Sequence, residues 1–263
     1  MEPLKRLLDS LAAQEYRDFS LLLGDQNPEG FLDGLLERYA GIVPLQLVRF
    51  MPCGLSEARN RLLPLARGDY FALADDDCHY APDAFAQVRR YMRETSFAGA
   101  LVGAGSAMPG PVAPGWKPPQ PMSRFAVFYR APSWCLFVRK EGADAIGGFD
   151  ENLGIGSPTP WQSGEETDYL LRLLEAGYPV FRAPGVRIFH DDEAAAGNPG
   201  KTRAYGMGRM RLLAKHDFPP WFRLAHVAYP LLRLPLDIPS GGPGAVKRRM
   251  AMFKGRWEGF WKA

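Results

Sequence analysis

Asp75, Asp76 and Asp77 follow the apolar run Tyr70-Phe71-Ala72-Leu73-Ala74, which reads as a buried strand. Like charges ~4 Å apart repel by roughly 4 kcal/mol at an effective dielectric of about 20. Three adjacent carboxylates at a strand end are tolerated when something positive sits among them, most simply a divalent cation. Oxygen-only ligands favour a hard ion, Mg²⁺ or Mn²⁺. A solvated acidic turn would explain the same triplet, because Asp favours turns.

Four further places could share that chemistry. Asp25 lies in the turn cluster Gly24-Asp25-Gln26-Asn27-Pro28. It suits a hydrogen bond to a nucleobase or ribose, or simply the turn. Arg59, in Gly54-Leu55-Ser56-Glu57-Ala58-Arg59-Asn60, can neutralise phosphate by bidentate donation or stand as an exposed helix arginine. Glu165, Glu166 and Asp168 open a helix after Ser163-Gly164, either residue serving as cap. The macrodipole favours acids there, and it also keeps a carboxylate ionised and ready to accept a hydroxyl proton. Trp161, just upstream, offers a flat platform for a sugar ring or a core aromatic. His190 follows Val186-Arg187-Ile188-Phe189 and can complete a metal site with the aspartates. His79, His216 and His226 show no evident chemistry.

The elements that must hold these residues alternate. Leu4, Leu7, Leu8 and Leu11 make one helix face. Strands are expected at Phe19–Leu23, Leu45–Phe50, Asp69–Ala74, Ala98–Gly105, Phe125–Phe128, Trp134–Val138, Val180–Phe181 and Val186–Phe189. Helices are expected over 29–39, over 56–65 with Ser56 as N-cap, from Pro82 to Met92, and from Glu165 to Ala176. Residues 106–122, rich in proline and glycine, read as a long loop. From Thr202 the pattern is helical and basic, with a break at Pro235–Pro243. This βαβ rhythm predicts an α/β, Rossmann-like, mostly parallel central sheet flanked by helices.

The 263 residues are 46% apolar and 23% charged, a globular balance. Cys53, Cys78 and Cys135 show no paired spacing, so neither a zinc site nor a disulfide framework is implied, which suits a reducing compartment. The start Met-Glu-Pro-Leu-Lys-Arg lacks an apolar signal core, and no run of ~20 apolar residues predicts a spanning helix. The net charge of +3 hides an asymmetry: residues 201–263 carry 13 Lys/Arg against 3 Asp/Glu, net +10, and the rest is net −7. A basic tail on an acidic body predicts an anionic partner surface. No Gly-rich phosphate loop of the GxxxxGK[ST] type is present, which counts against a nucleotidyl or phosphoryl transferase. The tail carries no nucleic-acid motif.

Taken in order, these residues resemble a family 2 glycosyltransferase of the GT-A fold over about residues 4–195. Leu8 to Gln14 looks like the family's first helix, and Asp25 matches the acid that contacts the nucleotide. Asp75-Asp76-Asp77 matches the DxD motif, and Gly147-Gly148-Phe149-Asp150-Glu151 is similar to the acceptor-side signature. Gly164-Glu165-Glu166-Thr167-Asp168 matches the helix start that supplies the base, with Glu166 where the family usually has Asp. His190 matches a histidine that some members add to the metal site. The resemblance implies a metal-dependent, inverting transfer from a nucleotide-sugar donor to a glycan or lipid-linked acceptor. In it Asp75, Asp77 and His190 hold Mn²⁺ or Mg²⁺, and Asp25, Arg59, Asp75 and Asp76 bind the donor. Trp161 meets the acceptor, and Glu166 is the base, with Asp168 and Glu165 as further candidates.

Family members begin with a strand before the first helix. This chain starts at the helix, so an upstream start or a truncation is expected, and a non-catalytic sugar-nucleotide or membrane-binding module is the alternative reading. Two regions are expected: 1–200, the transferase domain, and 201–263, a basic helical extension. In the extension Lys247, Arg248, Arg249, Lys254, Arg256 and Lys262 interleave with aromatics and methionines. That composition suits an anionic membrane surface and predicts a cytoplasmic protein on the inner face of the cell membrane.

Overall fold

The structure, a computed structural model, describes residues 1–106, 116–190 and 198–263. The expected loop at 106–122 therefore lies largely outside the described residues. The chain divides into two compact units. The first comprises the described residues of Met1–Pro52, Arg59–Gly148 and Tyr169–Asp192. The second comprises those of Cys53–Ala58, Phe149–Asp168 and Glu193–Ala263.

In the first unit, helix α1 (Glu2–Ala12) buries Leu4, Leu7, Leu8 and Leu11, the face its sequence period predicts. It docks beside β4 (Cys78–Tyr80), where the Tyr80 N–H donates to Ser10 Oγ at 3.1 Å. Gln14 locks the end of α1: its Nε2 donates to Ala81 O at 2.8 Å, and its Oε1 accepts from Phe85 N at 3.1 Å. Phe85 lies on α4 (Ala84–Glu94). Strands β1 (Leu21–Asp25) and β2 (Leu45–Arg49) form a parallel pair, joined through the short helix α2 (Asp33–Leu36) and a 3-10 turn at Glu37–Tyr39. The expected helix over 29–39 is thus reduced to these two short pieces.

The larger sheet runs β3 (Tyr70–Ala72), β7 (Leu136–Arg139), β5 (Ala100–Ser106), β8 (Val180–His190), then β4, with β6 (Gln120–Pro121) beside β8. β5 and β8 are parallel, and β3 shares their direction, because β7 is antiparallel to both β3 and β5. The expected parallel sense holds for β1 with β2 and for β3, β5 and β8. The pairing is mixed all the same: β7 is inserted against the grain, and β4 and β6 pair antiparallel with β8. That insertion brings the leading end of β7 to the edge where β3 and β8 end. Leu101, Val102, Leu136, Val138 and Ile188 form the buried centre of the sheet.

Three local expectations are corrected. Phe125–Phe128 is not a strand but part of helix α5 (Arg124–Arg130), started by Ser123, whose Oγ accepts from the Ala126 N–H at 3.3 Å. Trp134 and Cys135 lie in a 3-10 turn, Ser133–Cys135, and the strand begins only at Leu136. The two short strands after residue 180 are one strand, β8, carrying a register shift opposite Gly103/Ala104. Helix α6 (Lys140–Ile146) completes the unit, together with helix α7 (Glu165–Glu175) from Tyr169 onward.

In the second unit, helix α3 (Leu55–Leu62) begins, its first turn closed by Ala58 N–H to Gly54 O at 2.9 Å. Ser56 is not its N-cap. Its buried hydroxyl donates to Leu153 O at 2.6 Å, tying the turn to the loop before α7. Helix α8 (Pro199–Lys215) is capped by Asn198 Oδ1, which accepts from Gly200 N and Lys201 N. Helix α9 spans Pro220–Lys262. Arg256 Nη1 donates to His226 O at 2.7 Å although 30 residues separate them. A straight helix would hold such residues about 45 Å apart. Arg223 lies over the Phe260 ring at 5.1 Å, and Arg249 over Tyr229 at 5.7 Å. The helix therefore doubles back between Tyr229 and Arg249. Pro235, Pro239 and Pro243 each remove a backbone donor in that stretch.

Candidate active site

In the first unit, one oxygen each from Asp75 and Asp77 and one nitrogen of His190 lie within 4.8 Å of one another. Topology explains the meeting. β3 leads into Asp75, and β8 ends at His190 in antiparallel register with Cys78. Asp77 and His190 therefore face each other from adjacent strand ends, with Asp77 Oδ1 3.0 Å from His190 Nε2. Asp75 is bracketed: Arg59 Nη2 lies 3.5 Å from its Oδ1, and Ser133 Oγ donates to its Oδ2 at 3.1 Å. Burial pushes the Asp75 carboxyl up from its ordinary value, against the pull of Arg59 and Ser133. Two carboxylates and an imidazole form a donor set suited to Mn²⁺ or a similar ion. Asp75 is half-buried and costly to ionise there, which a bound cation would relieve. The residues fit a metal. Asp76 points elsewhere: it is exposed and outside the cluster.

Asp25 is buried and closes β1. Its Oδ1 accepts from Asn27 N at 2.9 Å and Nδ2 at 2.7 Å, an Asx turn. Its Oδ2 is buried without a hydrogen bond among the described residues, 3.8 Å from Arg49 Nε.

The other acidic cluster stands in the second unit. Gly164, at φ +95°, is the residue before α7, and its carbonyl accepts from Asp168 N at 2.8 Å. Ser163, the other expected cap, instead donates its hydroxyl to Tyr205 O at 3.0 Å. α8 comes close enough for this because Gly208 faces Ser163, where a Cβ would fall 2.6 Å from its carbonyl oxygen. Glu165 is buried and Glu166 half-buried. Asp168 has no exposure at all. Lys215 Nζ and His216 Nε2 lie 2.7 Å and 2.9 Å from its Oδ1, and Lys215 also reaches Asp150 Oδ2 at 2.7 Å. Both basic groups thus meet the same oxygen of a fully buried carboxylate. Trp161 is half-exposed, and its backbone is held by Thr159 Oγ1 and by Gly154 N. Sequence reading missed His216, Lys215 and Ser133. Each contacts a residue 47 or more positions away, so no local pattern marks it.

The fold is shared with solved glycosyltransferases. The Pyrobaculum calidifontis mannosyltransferase PcManGT, in complex with GDP-Man and Mn²⁺, aligns over 99% of this chain and 84% of its own, with TM-score 0.67 and 16% identity. TarS of S. aureus, in complex with UDP, aligns over 98% and 86% with TM-score 0.57 and 14% identity. GalNAc-T7 with UDP, GalNAc and Mn²⁺ aligns over 96% of this chain and 52% of its own, with TM-score 0.59 and 14% identity. No curated protein matches the sequence. Residues 2–133, which include the aspartate triplet, match the sequence model of Glycosyl transferase family 2, and the chain belongs to that family of glycosyltransferases.

Proposed function

We propose that this glycosyltransferase is metal-dependent and inverting, and that it moves a sugar from a nucleotide-sugar to a hydroxyl of a glycan or lipid-linked acceptor in cell-surface polysaccharide assembly. The observation that carries the metal reading is the convergence of Asp75, Asp77 and His190. A divalent cation held there would neutralise the leaving diphosphate. Arg59, beside Asp75, adds a fixed positive charge for a phosphate oxygen. Asp25 Oδ2 retains acceptor capacity for a nucleobase or ribose donor group. The exposed Asp76, next to Asp75 in the chain, is assigned to donor binding.

On the acceptor side, Glu166 is the proposed base. It stands in the first turn of α7, where the helix dipole favours an acidic side chain, and it takes the proton of the attacking hydroxyl. Asp168 is assigned to positioning, since Lys215 and His216 enclose it, and buried Glu165 to support of the same turn. Trp161 offers its ring to an acceptor sugar.

The basic extension of residues 201–263 is proposed to touch an anionic membrane from the cytoplasmic side. Among the described residues, no helix is long and apolar enough to cross a membrane. Leu232 and Leu236 are exposed at 72% and 65%, and Lys247 and Arg248 are exposed on the returning arm of α9. That pairing of apolar and basic groups suits surface binding.

The test is incubation with Mn²⁺ or Mg²⁺ and a panel of UDP-, GDP- and dTDP-sugars, with diphosphate release measured. Metal-dependent release from one donor, lost in Asp77→Ala, is expected. Donor binding without turnover in the presence of acceptor glycans would replace the enzyme reading with that of a binding module.

A further inference from the structure

We propose that Ser133 and Trp134, adjacent on one 3-10 turn, are the positioning residues of the Asp75–Asp77–His190 site; this rests on the reading of that cluster as a metal site. Ser133 fixes Asp75, and Trp134 fixes the ring plane of His190.

His190 presents the problem that the turn solves. A metal-bound histidine is ordinarily oriented by a hydrogen bond from its second ring nitrogen. Here Nε2 faces Asp77, and Nδ1 is buried without a hydrogen bond among the described residues. The Trp134 indole lies stacked on the imidazole instead, centroids 5.1 Å apart and planes 21° from parallel. Stacking restrains rotation of the ring about its χ2 bond, adding to the hold that Asp77 gives through Nε2 alone.

The indole needs a seat, and Gly105 at the end of β5 provides it. A Cβ there would overlap Trp134 and also fall 2.9 Å from Cys135 Sγ. Ser133, one residue earlier, donates to Asp75 Oδ2 and leaves Oδ1 toward Arg59. Without that bond the Asp75 carboxylate loses one of the two contacts that bracket it and keeps the longer one, to Arg59 at 3.5 Å.

Sheet topology explains why one turn reaches two ligands. β7 runs antiparallel to its neighbours β3 and β5, so its leading end lies where they finish. β3 finishes toward Asp75, β5 at Ser106, and β8, parallel to β5, at His190. The turn entering β7 therefore stands between the two ligands, with buried Cys135 anchoring it to the sheet.

The test is Mn²⁺ affinity of the full chain, read from the electron paramagnetic resonance signal of free Mn²⁺. Ser133→Ala and Trp134→Ala should each weaken binding about 10- to 100-fold, the usual effect of losing a residue that orients a ligand. Ser133→Thr and Trp134→Phe keep the hydroxyl or the stacking face and should restore affinity to within a few-fold. Mn²⁺ should also quench a tryptophan fluorescence component that Trp134→Phe lacks. Gly105→Ala, which leaves the turn's own sequence intact, should weaken binding as Trp134→Ala does. Wild-type binding with unchanged affinity in both alanine variants overturns the positioning roles. Absence of Mn²⁺ binding by the wild type overturns the metal reading itself, and this proposal with it.

Discussion

Asp168 Oδ1 lies 2.9 Å from His216 Nε2, a residue 48 positions later, and 2.7 Å from Lys215 Nζ. The contact joins the first turn of α7 to the end of α8 inside the second unit. Asp168 is fully buried, so its removal would take from Lys215 one of the two carboxylates it reaches at 2.7 Å and from buried His216 the carboxylate beside its Nε2. Breaking a buried pair from one side costs about 3–5 kcal/mol. Asp168→Ala should lower unfolding free energy by that order in urea titration. Activity in the surviving folded fraction should fall in step with loss of the turn that carries Glu166. By contrast, Glu166→Gln, which keeps the size of a half-buried side chain, should cost about 1 kcal/mol of stability at most while abolishing turnover. A stable, inactive Asp168→Ala variant would return the base assignment to Asp168.

The aspartate pair can be separated by substitution. Asp77 faces His190 at 3.0 Å, whereas Asp76 is exposed and outside the cluster. Asp77→Asn should remove the Mn²⁺-induced rise in melting temperature. Asp76→Asn should keep most of that rise and act, if at all, on the apparent KM for donor. Equal loss from both would mean that the whole triplet, not the Asp75–Asp77 pair, holds the ion.

How much of this was legible follows from how local each signal is. The triplet, the Glu165–Glu166 helix start and the leucine face of α1 are contiguous or periodic, so the sequence displays them directly. His190 is different. Its contact with Asp77 arises from β4–β8 pairing, which no local pattern displays; its place after an apolar run and the family resemblance were the signals that pointed to it. Ser133 and Trp134 were hidden for a physical reason: an aromatic and β-branched run such as Trp134–Val138 reads as strand throughout, while the structure spends its first residues on a turn. Ser133 meets Asp75 across 58 residues. Phe125–Phe128 was misread for a similar reason, although the Ser123 cap was there to be seen. For α9 the prolines predict a break at Pro235–Pro243, whereas the helix continues through that stretch and its return shows only in contacts such as Arg256 with His226, 30 residues apart.

Gly154 adopts φ +97° and faces the acidic helix start, with Glu165 Oε2 and Ser56 Oγ each 3.0 Å from where a Cβ would sit. Gly154→Ala forces an L side chain into that backbone region, at about 1–3 kcal/mol. It should also press on Glu165. A fall in kcat larger than the change in KM, in protein shown to be folded by circular dichroism, is the expected outcome. Wild-type kcat with normal stability would show that the loop yields without consequence.

His226 supplies the acid dependence. Burial depresses its folded-state pKa to about 4 from the ordinary histidine value of 6.5, despite the hydrogen bond with Phe222 O. The folded state thus binds fewer protons than the unfolded state between those values. Stability gained by keeping the ring neutral is complete above about pH 6.5 and declines as pH falls toward 4. One group contributes a slope of at most about 1.4 kcal/mol per pH unit. His226→Gln should flatten the loss of stability between pH 6.5 and 4 in denaturant titrations. An identical slope in the variant would place the acid sensitivity on other groups.

The exposed leucines of α9 give the membrane reading its sharpest check. Leu232 and Leu236 stand four residues apart, one helical turn, so they share a face. Lys247 and Arg248 follow on the returning arm. Inserting a leucine into the acyl boundary gains about 1.5–3 kcal/mol, and each nearby basic group adds about 1 kcal/mol on an anionic surface. Leu232→Asp with Leu236→Asp should therefore weaken co-sedimentation with phosphatidylserine vesicles by 100-fold or more at any salt. Lys247→Ala with Arg248→Ala should weaken it less, and that loss should vanish at high ionic strength, where the surface potential is screened. If the leucine pair changes nothing while the basic pair abolishes binding, attraction is purely electrostatic and the apolar face serves another contact. If wild-type protein ignores anionic vesicles altogether, the peripheral location fails, while the metal site and the α7 base are untouched, because neither draws on a residue of α9.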